Sequence, residues 1–421
     1  MSAVEEARHV LPAGYDPAAF DHQGPDYARS WEAIGRHHRA HCPVARSEQH
    51  GGFWVLSRYA DVEQVIKDDA TFSSAHPDQP HELQGVTIPP APLRQIPIEM
   101  DPPAYTPFRT MLNSWFSPGA SRKWEPNLRE ITTAFVNRFV EKGAADLVLD
   151  LANPVPAVFT AMLLGLPTED WRSFSDPMHA MVAAPSGSEQ HTAALIGYME
   201  CVNKVLEVAK QRRAEPSDDL LSYLVQAEVH GQKLTDQQVL EISSLVLIGG
   251  VDTTTSVIAN ALLWLSEHPD ERAWLAEDPS RIKAATEEFL RYFTPTQALA
   301  RTVTCPVSVG GQEMQRGDRV LMSFAFANRD EDEFPNADVV DLARSPNRHQ
   351  AFGLGIHRCI GSTFARLEIE LVLHEVLRRI PDFVVDRDAS HPYDSVGIVN
   401  GYVDMPATFT PGTVEPCPLS F

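Results

Sequence analysis

The sequence predicts a mainly α-helical fold with small β-sheets, and three observations support this. Hydrophobic residues make up 43% of the 421 residues, which is enough for a substantial core. Helical periodicity fills most of the chain, for example at 124–140, 155–166 and 195–213. Strand-like patterns are short, and the clearest is an alternating stretch at 302–324 with Gly310-Gly311 as a hairpin turn.

One helix is predicted to be unusually long. Thr235 and Gln238 form a capping box at its start, and the helical pattern continues to about His268, before Pro269. This is roughly 30 residues, or about 45 Å at about 1.5 Å per residue. Its middle is apolar on nearly all sides, so the helix is expected to cross the core.

The centre of this helix contains residues of low helix propensity. Gly249 and Gly250 weaken a helix, and so do β-branched residues such as Thr253 that follow them. Close helix packing through small residues would explain the two glycines. It does not explain an acid, Asp252, beside a hydroxyl in a buried position, which indicates a functional site.

Charge and cysteine content argue against several classes of protein. A formal net charge of −22 disfavours nucleic acid and anionic membranes as partners, since both need clustered positive charge. The five cysteines are scattered without a C-x-x-C pair, which disfavours a disulfide framework or a zinc site and favours the cytoplasm. Glu5, Glu6 and Arg8 belong to an N-terminus without an apolar run, so no signal peptide or membrane anchor is predicted.

Cys359 is the most informative single residue. It lies in a loop with three glycines that let the backbone approach a flat group, and His357 and Arg358 place polar groups beside the sulfur. A helix predicted over 362–379 follows, and its N-terminus should favour the thiolate over the thiol. Such a thiolate can ligate a metal, haem iron included, whereas a buried structural cysteine is the alternative.

The run at 352–361 resembles the haem-binding signature of the cytochrome P450 family, F-x-x-G-x-H-x-C-x-G, at every fixed position. The resemblance extends over nearly the whole chain. It implies a single domain over residues 1–421, with haem b between the long central helix and the helix after the cysteine loop. Cys359 would be the axial iron ligand. The other loop residues implied to contact haem are Phe352, Gly353, His357 and Gly361.

Residues 249–253 resemble the oxygen-activation motif of the same family, A-G-x-[DE]-[TS], with Gly249 in the alanine position. By this match, Gly249 and Gly250 leave room for dioxygen over the iron. Thr253 would hold a water by hydrogen bonding, and Asp252 would relay protons.

Glu288 and Arg291 form an E-x-x-R pair, whose members share one face of a helix and can therefore interact. The motif alone is weak because a solvated surface pair is the common outcome. Its place before the cysteine loop resembles the structural E-x-x-R of the family, which fixes the core behind that loop. His349 is a further candidate for this network.

Three residues are predicted to neutralise the haem propionates, because buried carboxylates require cations. They are His357, Arg301 and Arg109, the last in a run that resembles the family's D-P-P-x-H-x-x-x-R. Tyr105 stands at the histidine position of that run, where a phenol replaces an imidazole and can still donate a hydrogen bond to haem.

The sequence has no flavin, nicotinamide or four-cysteine cluster motif, so electrons would come from another protein. The resemblance implies a [2Fe-2S] ferredoxin that is itself served by an NAD(P)H-dependent reductase. Arg109, Arg358 and Arg366 are predicted to form a basic patch for this partner.

The substrate prediction depends on a likeness to the bacterial camphor-hydroxylase group, in runs such as 249–253, 380–383 and 397–399. That likeness implies a small apolar substrate such as a terpenoid or norisoprenoid. Five apolar residues are candidates for the substrate pocket, although each would also suit an ordinary core: Leu93, Ile248, Leu299, Ile398 and Val399.

We therefore expect a haem-thiolate monooxygenase that inserts one atom of dioxygen into a C–H bond. Two alternatives stay open. One is a haem-thiolate enzyme of other chemistry, such as O-demethylation, C–C coupling or peroxide-driven oxidation, of which Asp252 and Thr253 disfavour only the last. The other is a non-catalytic haem sensor or carrier, which would not need this acid–alcohol pair.

Overall fold

Helices form most of the molecule. The structure is a computed structural model that describes residues 9–75, 84–91 and 93–421. Glu5, Glu6 and Arg8, which carry the prediction of no signal peptide, lie outside the described residues. The helices of four or more residues with α-helical geometry are α1 (Pro25–His41), α2 (Tyr59–Lys67), α3 (Tyr105–Phe116), α4 (Pro118–Asn137), α5 (Pro154–Leu164), α6 (Trp171–Ala183), α7 (Glu189–Ala214), α8 (Leu220–Gln226), α9 (Asp236–Gly250), α10 (Asp252–Glu267), α11 (Pro269–Glu277), α12 (Ile282–Phe293), α13 (Phe324–Ala327) and α14 (Ser362–Arg379).

Short strands lie between these helices, so the prediction of a mainly α-helical fold with small sheets is confirmed. They are β1 (Val44–Ser47), β2 (Phe53–Leu56), β3 (Phe72–Ser73), β4 (Ala144–Asp146), β5 (Glu228–Val229), β6 (Gln232–Lys233), β7 (Ala298–Val303), β8 (Val307–Val309), β9 (Gln312–Met314), β10 (Arg319–Ser323), β11 (Val384–Val385), β12 (His391–Pro392), β13 (Tyr402–Asp404) and β14 (Pro406–Thr408).

The largest sheet among the described residues has five strands in the order β1-β2-β10-β7-β3. The pair β2–β10 is parallel, and the other pairs are antiparallel. The predicted hairpin turn is present between β8 and β9, where Gly310 has φ 54° and Gly311 has φ 80°. Both values lie in the left-handed region that glycine adopts without a steric cost.

Three predicted helices are confirmed as α4, α5 and α7, but two of them begin several residues earlier than the apolar pattern. Ser117 caps α4 by accepting a hydrogen bond from the backbone of Ala120. Ser188 caps α7 in the same way by accepting from His191. The first turns of these helices are stabilised by capping and are poor in buried residues, so periodicity alone does not reveal them.

The predicted long helix is interrupted, which corrects the expectation of one continuous element. The capping box of Thr235 and Gln238 is present at the start of α9. Val251, with φ −92° and ψ −74°, separates α9 from α10. Within the described residues, Asp236–Glu267 is the one helical stretch that is long and apolar enough to suggest a membrane span, and 67% of its most apolar window is buried inside the protein.

The two halves of this broken helix share one neighbour, α5, and otherwise pack against different helices. Helix α9 also packs against α7 and α8, whereas α10 also packs against α12 and α14. The largest hydrophobic core cluster surrounds both halves. Because the cysteine loop ends where α14 begins, the contact between α10 and α14 positions the candidate site.

Candidate active site

The cysteine loop, residues 350–361, has a fixed backbone conformation. The backbone N–H of Cys359 donates to the carbonyl of Phe352 at 2.8 Å, and that of Gly353 donates to Gln350 at 2.8 Å. Gly355 has φ 66°, and a Cβ at this position would lie 2.9 Å from the carbonyl oxygen of Ile66. The loop therefore requires glycine at 355 for both conformation and space.

Helix α3 holds this loop from one side. The Tyr105 hydroxyl donates to the Ile356 carbonyl, and its ring stands edge-on to that of His357 with the ring centroids 4.6 Å apart. One turn further along α3, Arg109 Nη2 donates to the Arg358 carbonyl at 2.7 Å. The Tyr105 hydroxyl thus binds the backbone of the cysteine loop. A contact of Tyr105 with haem stays a prediction.

The thiol of Cys359 keeps accessible surface although protein atoms surround the residue, so it lines an internal cavity. Burial raises the pKa of this thiol. The N–H of Gly361 and the charges of Arg109 and Arg358 act in the opposite direction without overcoming burial. Desolvation therefore outweighs the helix terminus in the protein without iron, and Cys359 as a thiolate ligand stays a prediction.

The glycines of the broken helix face different surroundings. Gly249 is exposed although it belongs to a core helix, and a Cβ there would meet no described atom within 4 Å. At Gly250, a Cβ would lie 2.8 Å from Thr160 Oγ1. Gly250 thus packs against Thr160 and does not border open space, contrary to the expectation that both glycines leave room for dioxygen, while the role of Gly249 stays a prediction.

Asp252 and Thr253 follow the break at Val251. Asp252 is buried, and its Oδ1 lies 2.9 Å from His179 Nδ1, whereas Oδ2 has no partner among the described residues. The Thr253 hydroxyl donates to the Gly249 carbonyl at 2.8 Å. The adjacent acid and alcohol therefore have different partners, and one carboxylate oxygen is left over for a further hydrogen bond.

Two residues that sequence reasoning missed complete the surroundings of Asp252. His179, on α6, also lies with its Nδ1 3.1 Å from the hydroxyl of Tyr393, in the segment after β12. Burial opposes protonation of His179, but the hydrogen bond and charge of Asp252 outweigh it and raise the pKa of the imidazole above 6.5. Neither residue belongs to a recognisable motif, so only the fold brings them to Asp252.

Positive groups surround His357. Both of its ring nitrogens are buried without a partner in the described part of the chain. Burial, followed by the charges of Arg301 and Arg109, lowers the pKa of His357 to about 3. Arg301 is buried too, its Nη1 donates to the Ala300 carbonyl at 2.8 Å, and burial lowers its pKa to about 10.

These donors fit the haem propionates. Across residues 9–75, 84–91 and 93–421, neither Arg301 nor Arg109 forms an ion pair with a carboxylate, although charged side chains are rarely buried unpaired. A dianionic group would supply the missing acceptors for both arginines and for His357. These donors would bind the propionates, and the thiol of Cys359 would bind the iron. We propose these contacts for a bound haem.

Glu288 and Arg291 form a fully buried pair on α12, with both side chains 0% exposed. Arg291 Nε and Nη2 lie 2.8 and 2.7 Å from the two carboxylate oxygens of Glu288. The other nitrogen of the guanidinium, Nη1, donates at 2.8 Å to the carbonyls of Asn328 and Ala337. The pair therefore joins α12 to the segment 328–341, which leads to the cysteine loop.

A second arginine, Arg344, completes this network, whereas His349 does not belong to it. Arg344 Nε lies 3.1 Å from both oxygens of Glu288, and Asn347 Nδ2 donates to Glu288 at 3.0 Å. His349 instead pairs with the neighbouring Glu287, at 3.0 Å from Nε2 to Oε2. The sequence expectation that His349 joins the Glu288–Arg291 network is therefore wrong, because His349 and Arg366 bind Glu287 while Arg344 and Asn347 bind Glu288.

The predicted basic patch loses one member. Arg366 Nη2 donates to Glu287 at 2.9 Å, and its guanidinium covers the ring of Phe352 at 4.4 Å. Its charge is therefore neutralised within the protein, and it fixes the first residue of the family motif. Arg109 and Arg358 remain as the candidates for a positive surface on this side.

The five predicted substrate residues do not share one hydrophobic cluster. Val399 is buried with residues of β7 and β2, Leu299 packs on the cluster behind α2, and Ile248 packs on the main core. Ile398 is 41% exposed, and Leu93 is partly buried. Their common role at a substrate stays a prediction.

Comparison with known proteins gives consistent matches. The family model described as Cytochrome P450 matches residues 173–390. Cytochrome P450 130 of Mycobacterium tuberculosis is 34% identical over 365 residues, covering 84% of this chain and 88% of the relative. The erythromycin C-12 hydroxylase of Saccharopolyspora erythraea is 35% identical over 343 residues, with 80% and 84% covered. The structure of Mycobacterium marinum CYP268A2 in complex with pseudoionone superposes with a TM-score of 0.85 at 29% identity, covering 95% of this chain and 100% of that one.

Proposed function

Since the chain belongs to the cytochrome P450 family, we propose that it is a haem-thiolate monooxygenase of a small apolar substrate, with a ferredoxin as its electron donor. The observation that carries the proposal is the packing of α10, which carries Asp252 and Thr253, against α14, which follows the cysteine loop, together with the open space beside Gly249 at the end of α9. Residues 1–421 would form one domain around this site.

Haem, when bound through Cys359 Sγ, supplies the activation of dioxygen. The overall reaction consumes the substrate, one dioxygen, two electrons and two protons. One oxygen atom enters a C–H bond of the substrate to give an alcohol, and the other leaves as water. The protein must therefore deliver two protons while it excludes bulk water from the apolar interior.

Asp252 and Thr253 are suited to this proton delivery. A hydroxyl has one donor and two acceptor positions, so Thr253 Oγ1 can still accept a hydrogen bond from a water while it donates to the Gly249 carbonyl. Asp252 Oδ2 has no described partner and can take up a proton that comes from bulk solvent through water, and release it to the water held at Thr253 Oγ1. Arg301, Arg109 and His357 would hold the propionates.

We infer a terpenoid or norisoprenoid as the substrate, because the candidate residues at the substrate side are apolar. An apolar lining rejects charged molecules more firmly than it selects among neutral ones. The similarity to a structure with bound pseudoionone supports a ligand of this size and polarity. Purified protein titrated with pseudoionone should show a change in the haem absorption spectrum, and no change across a terpenoid panel would contradict the assignment.

For electron transfer we propose a [2Fe-2S] ferredoxin, reduced by an NAD(P)H-dependent reductase in the cytoplasm, that binds near Arg109 and Arg358. Arg358→Glu should slow reduction of the haem by the ferredoxin and weaken its salt dependence. Arg129→Glu, on an exposed face of α4, is the control and should leave the rate unchanged. Equal rates for the wild type and Arg358→Glu would remove this surface from consideration.

The ligand assignment has a direct test. The reduced, carbon-monoxide-bound protein should show the strongly red-shifted absorption band of a haem thiolate, and Cys359→Ser should lose it. Cys305→Ser is the matched control, because Cys305 is an exposed cysteine outside the loop, and it should retain the band. Retention of the band in Cys359→Ser would refute the assignment, and substrate-dependent NADH consumption with a reconstituted ferredoxin would distinguish an enzyme from a haem sensor.

A further inference from the structure

Three elements that are distant in sequence meet around the carboxylate of Asp252. His179 comes from α6, Asp252 from the first turn of α10, and Tyr393 from the segment between β12 and β13. All three are largely buried, with relative exposures of 7%, 1% and 3%. The distances of 2.9 Å from His179 to Asp252 and 3.1 Å from His179 to Tyr393 make one connected network.

The backbone around Tyr393 is shaped to admit this ring. A Cβ at Gly401 would lie 2.8 Å from Tyr393 Cε2, so any larger residue there would displace the ring. The N–H of Tyr393 donates to the Gly401 carbonyl at 3.0 Å. The same segment is attached to α10 through Asn260, whose Nδ2 donates to the Asn400 carbonyl at 3.1 Å. Tyr393 is thus held in place independently of its hydroxyl.

We propose that His179, supported by Tyr393, is a positioning residue that fixes the orientation of the Asp252 carboxylate for proton delivery. This inference depends on the proposed monooxygenase function and adds two residues to it. His179 engages Oδ1 of Asp252, while Oδ2, which has no hydrogen-bond partner among the described residues, stays available to water. Without the imidazole, the carboxylate can rotate about its side-chain bonds and both oxygens lose their fixed positions.

The groups that face His179 favour its protonated form. The carboxylate of Asp252 faces it from α10 and the hydroxyl of Tyr393 from the segment after β12, the Val403 carbonyl faces it from β13, and Asp176 lies on α6 itself. Burial opposes the charge, but the hydrogen bond and charge of Asp252, together with Val403 and Asp176, outweigh it and raise the pKa of His179. Because the folded-state pKa is raised, the attraction is fully present below about pH 6.5 and is lost as pH rises through the folded value.

The proton transfer itself needs no oxidant beyond the proposed reaction. A proton from bulk solvent reaches Asp252 Oδ2 through a water that takes up another proton from the solvent in exchange. The carboxylic acid then passes its proton to a water held at Thr253 Oγ1, and the carboxylate is restored. His179 keeps its own proton throughout. Loss of the imidazole should therefore reduce the yield of product per NADH and increase the release of hydrogen peroxide, with little effect on substrate binding.

The first experiment measures the network without turnover. The haem-loaded protein in its diamagnetic, reduced, carbon-monoxide-bound form is labelled with ¹⁵N-histidine and titrated by NMR, and the spectrum of His179→Asn identifies the His179 signal. The pKa of His179 should be higher in the wild type than in Asp252→Asn. The same pKa in both proteins would overturn the inference, and an intact carbon-monoxide band in each variant shows that the haem site itself is unchanged.

The second experiment measures coupling. His179→Leu should lower product per NADH by about 10-fold, less than the roughly 100-fold expected for loss of a proton-transfer group. His179→Asn keeps an N–H donor near the Nδ1 position without a titrating ring, so it should recover much of the yield and remove the part of its pH dependence that lies above about pH 6.5. Tyr393→Phe, the variant with the mildest effect on folding, should show a smaller loss.

A control pair of the same chemistry lies at the surface. His50 Nε2 is 2.9 Å from Asp21 Oδ1, with the histidine and aspartate side chains 26% and 31% exposed. His50→Asn should leave the yield and its pH profile as in the wild type. If His179→Leu matches the wild type in yield, peroxide release and pH profile, His179 does not position Asp252. If neither the wild type nor any variant turns over substrate, the proposed function is refuted. A higher pKa of His179 in the wild type than in Asp252→Asn would then still support the contact between His179 and Asp252.

Discussion

Replacing Glu288 by glutamine tests how much the buried charge network contributes to stability. The carboxylate accepts hydrogen bonds from Arg291, Arg344, Asn347 and the backbone of Asp341, and it is 0% exposed. Glutamine has nearly the same shape, but it removes the negative charge and turns one acceptor into a donor among donors. We expect a loss of about 3–5 kcal/mol in the free energy of unfolding, the range for breaking a buried ion pair.

A matched pair at the surface separates burial from geometry. Glu125 and Arg129 lie 2.7 Å apart, the same N–O distance as in Glu288–Arg291, but their side chains are 35% and 54% exposed. Glu125→Gln should cost about 0.5 kcal/mol or less, because solvent screens an exposed pair. The two variants therefore differ in burial and in the number of donors, not in the length of the ion pair.

The measurement is urea unfolding of the haem-loaded protein followed by far-UV circular dichroism, at one fixed excess of haem because haem stabilises the native state by binding to it. Burial raises the pKa of Glu288, but hydrogen bonds and charges from Arg291 and its neighbours outweigh it and lower the pKa. The stabilisation is thus present above about pH 4.5 and is lost as pH falls through the lowered folded value.

Two results would refute this reasoning. One is a loss in Glu288→Gln no larger than in Glu125→Gln at pH 7. The other is a difference between Glu288→Gln and the wild type that does not decrease on acidification. If Glu288→Gln fails to fold, Asn347→Ala removes one neutral donor from the same carboxylate and should cost about 1 kcal/mol.

The remaining predictions concern the glycines of the broken helix and the propionate cations. Gly249→Ala should stabilise the protein by about 0.5–1 kcal/mol, because a helical glycine is replaced and the new Cβ enters open space. Gly250→Ala should destabilise it by about 1 kcal/mol, because the new Cβ contacts Thr160 Oγ1. Thermal unfolding measures both changes, and equal shifts in the unfolding temperature would contradict the difference in packing. Arg301→Gln should speed the transfer of haem to apomyoglobin by about 10-fold. Arg319→Gln is the control, because Arg319 is also buried and its guanidinium donates hydrogen bonds to Gly85, Thr87 and Thr302 of the protein itself. Equal rates of haem transfer for the two variants would refute a specific role of Arg301.

Local sequence was sufficient wherever a structural feature depends on adjacent residues. The capping box at Thr235, the hairpin turn at Gly310 and the helix after the cysteine loop follow from short-range preferences, and the structure confirms them. The family motif supplied the pairing of Glu288 with Arg291, which lie on one helix face.

Features that depend on distant contacts were not predictable in this way. His179 and Tyr393 reach Asp252 only because α6, α10 and the C-terminal segment meet in space, and neither has a distinctive neighbourhood in the sequence. Arg344 joins Glu288 from 56 positions away. The desolvation that raises the pKa of the Cys359 thiol was unpredictable for a related reason, since it comes from the surrounding fold.

The break at Val251 has a consequence for how such an enzyme changes its substrate over evolution. Helix α9 contacts α5, α7 and α8, whereas α10 contacts α5, α12, α14 and the helix α6 that carries His179. Substitutions on the side of α9 that faces α7 and α8 therefore change neighbours that α10 does not share. Variation in the upstream half can alter which molecule is accepted, while the downstream half keeps proton delivery intact, so directed evolution of new substrate preferences should concentrate on α9 and its neighbours.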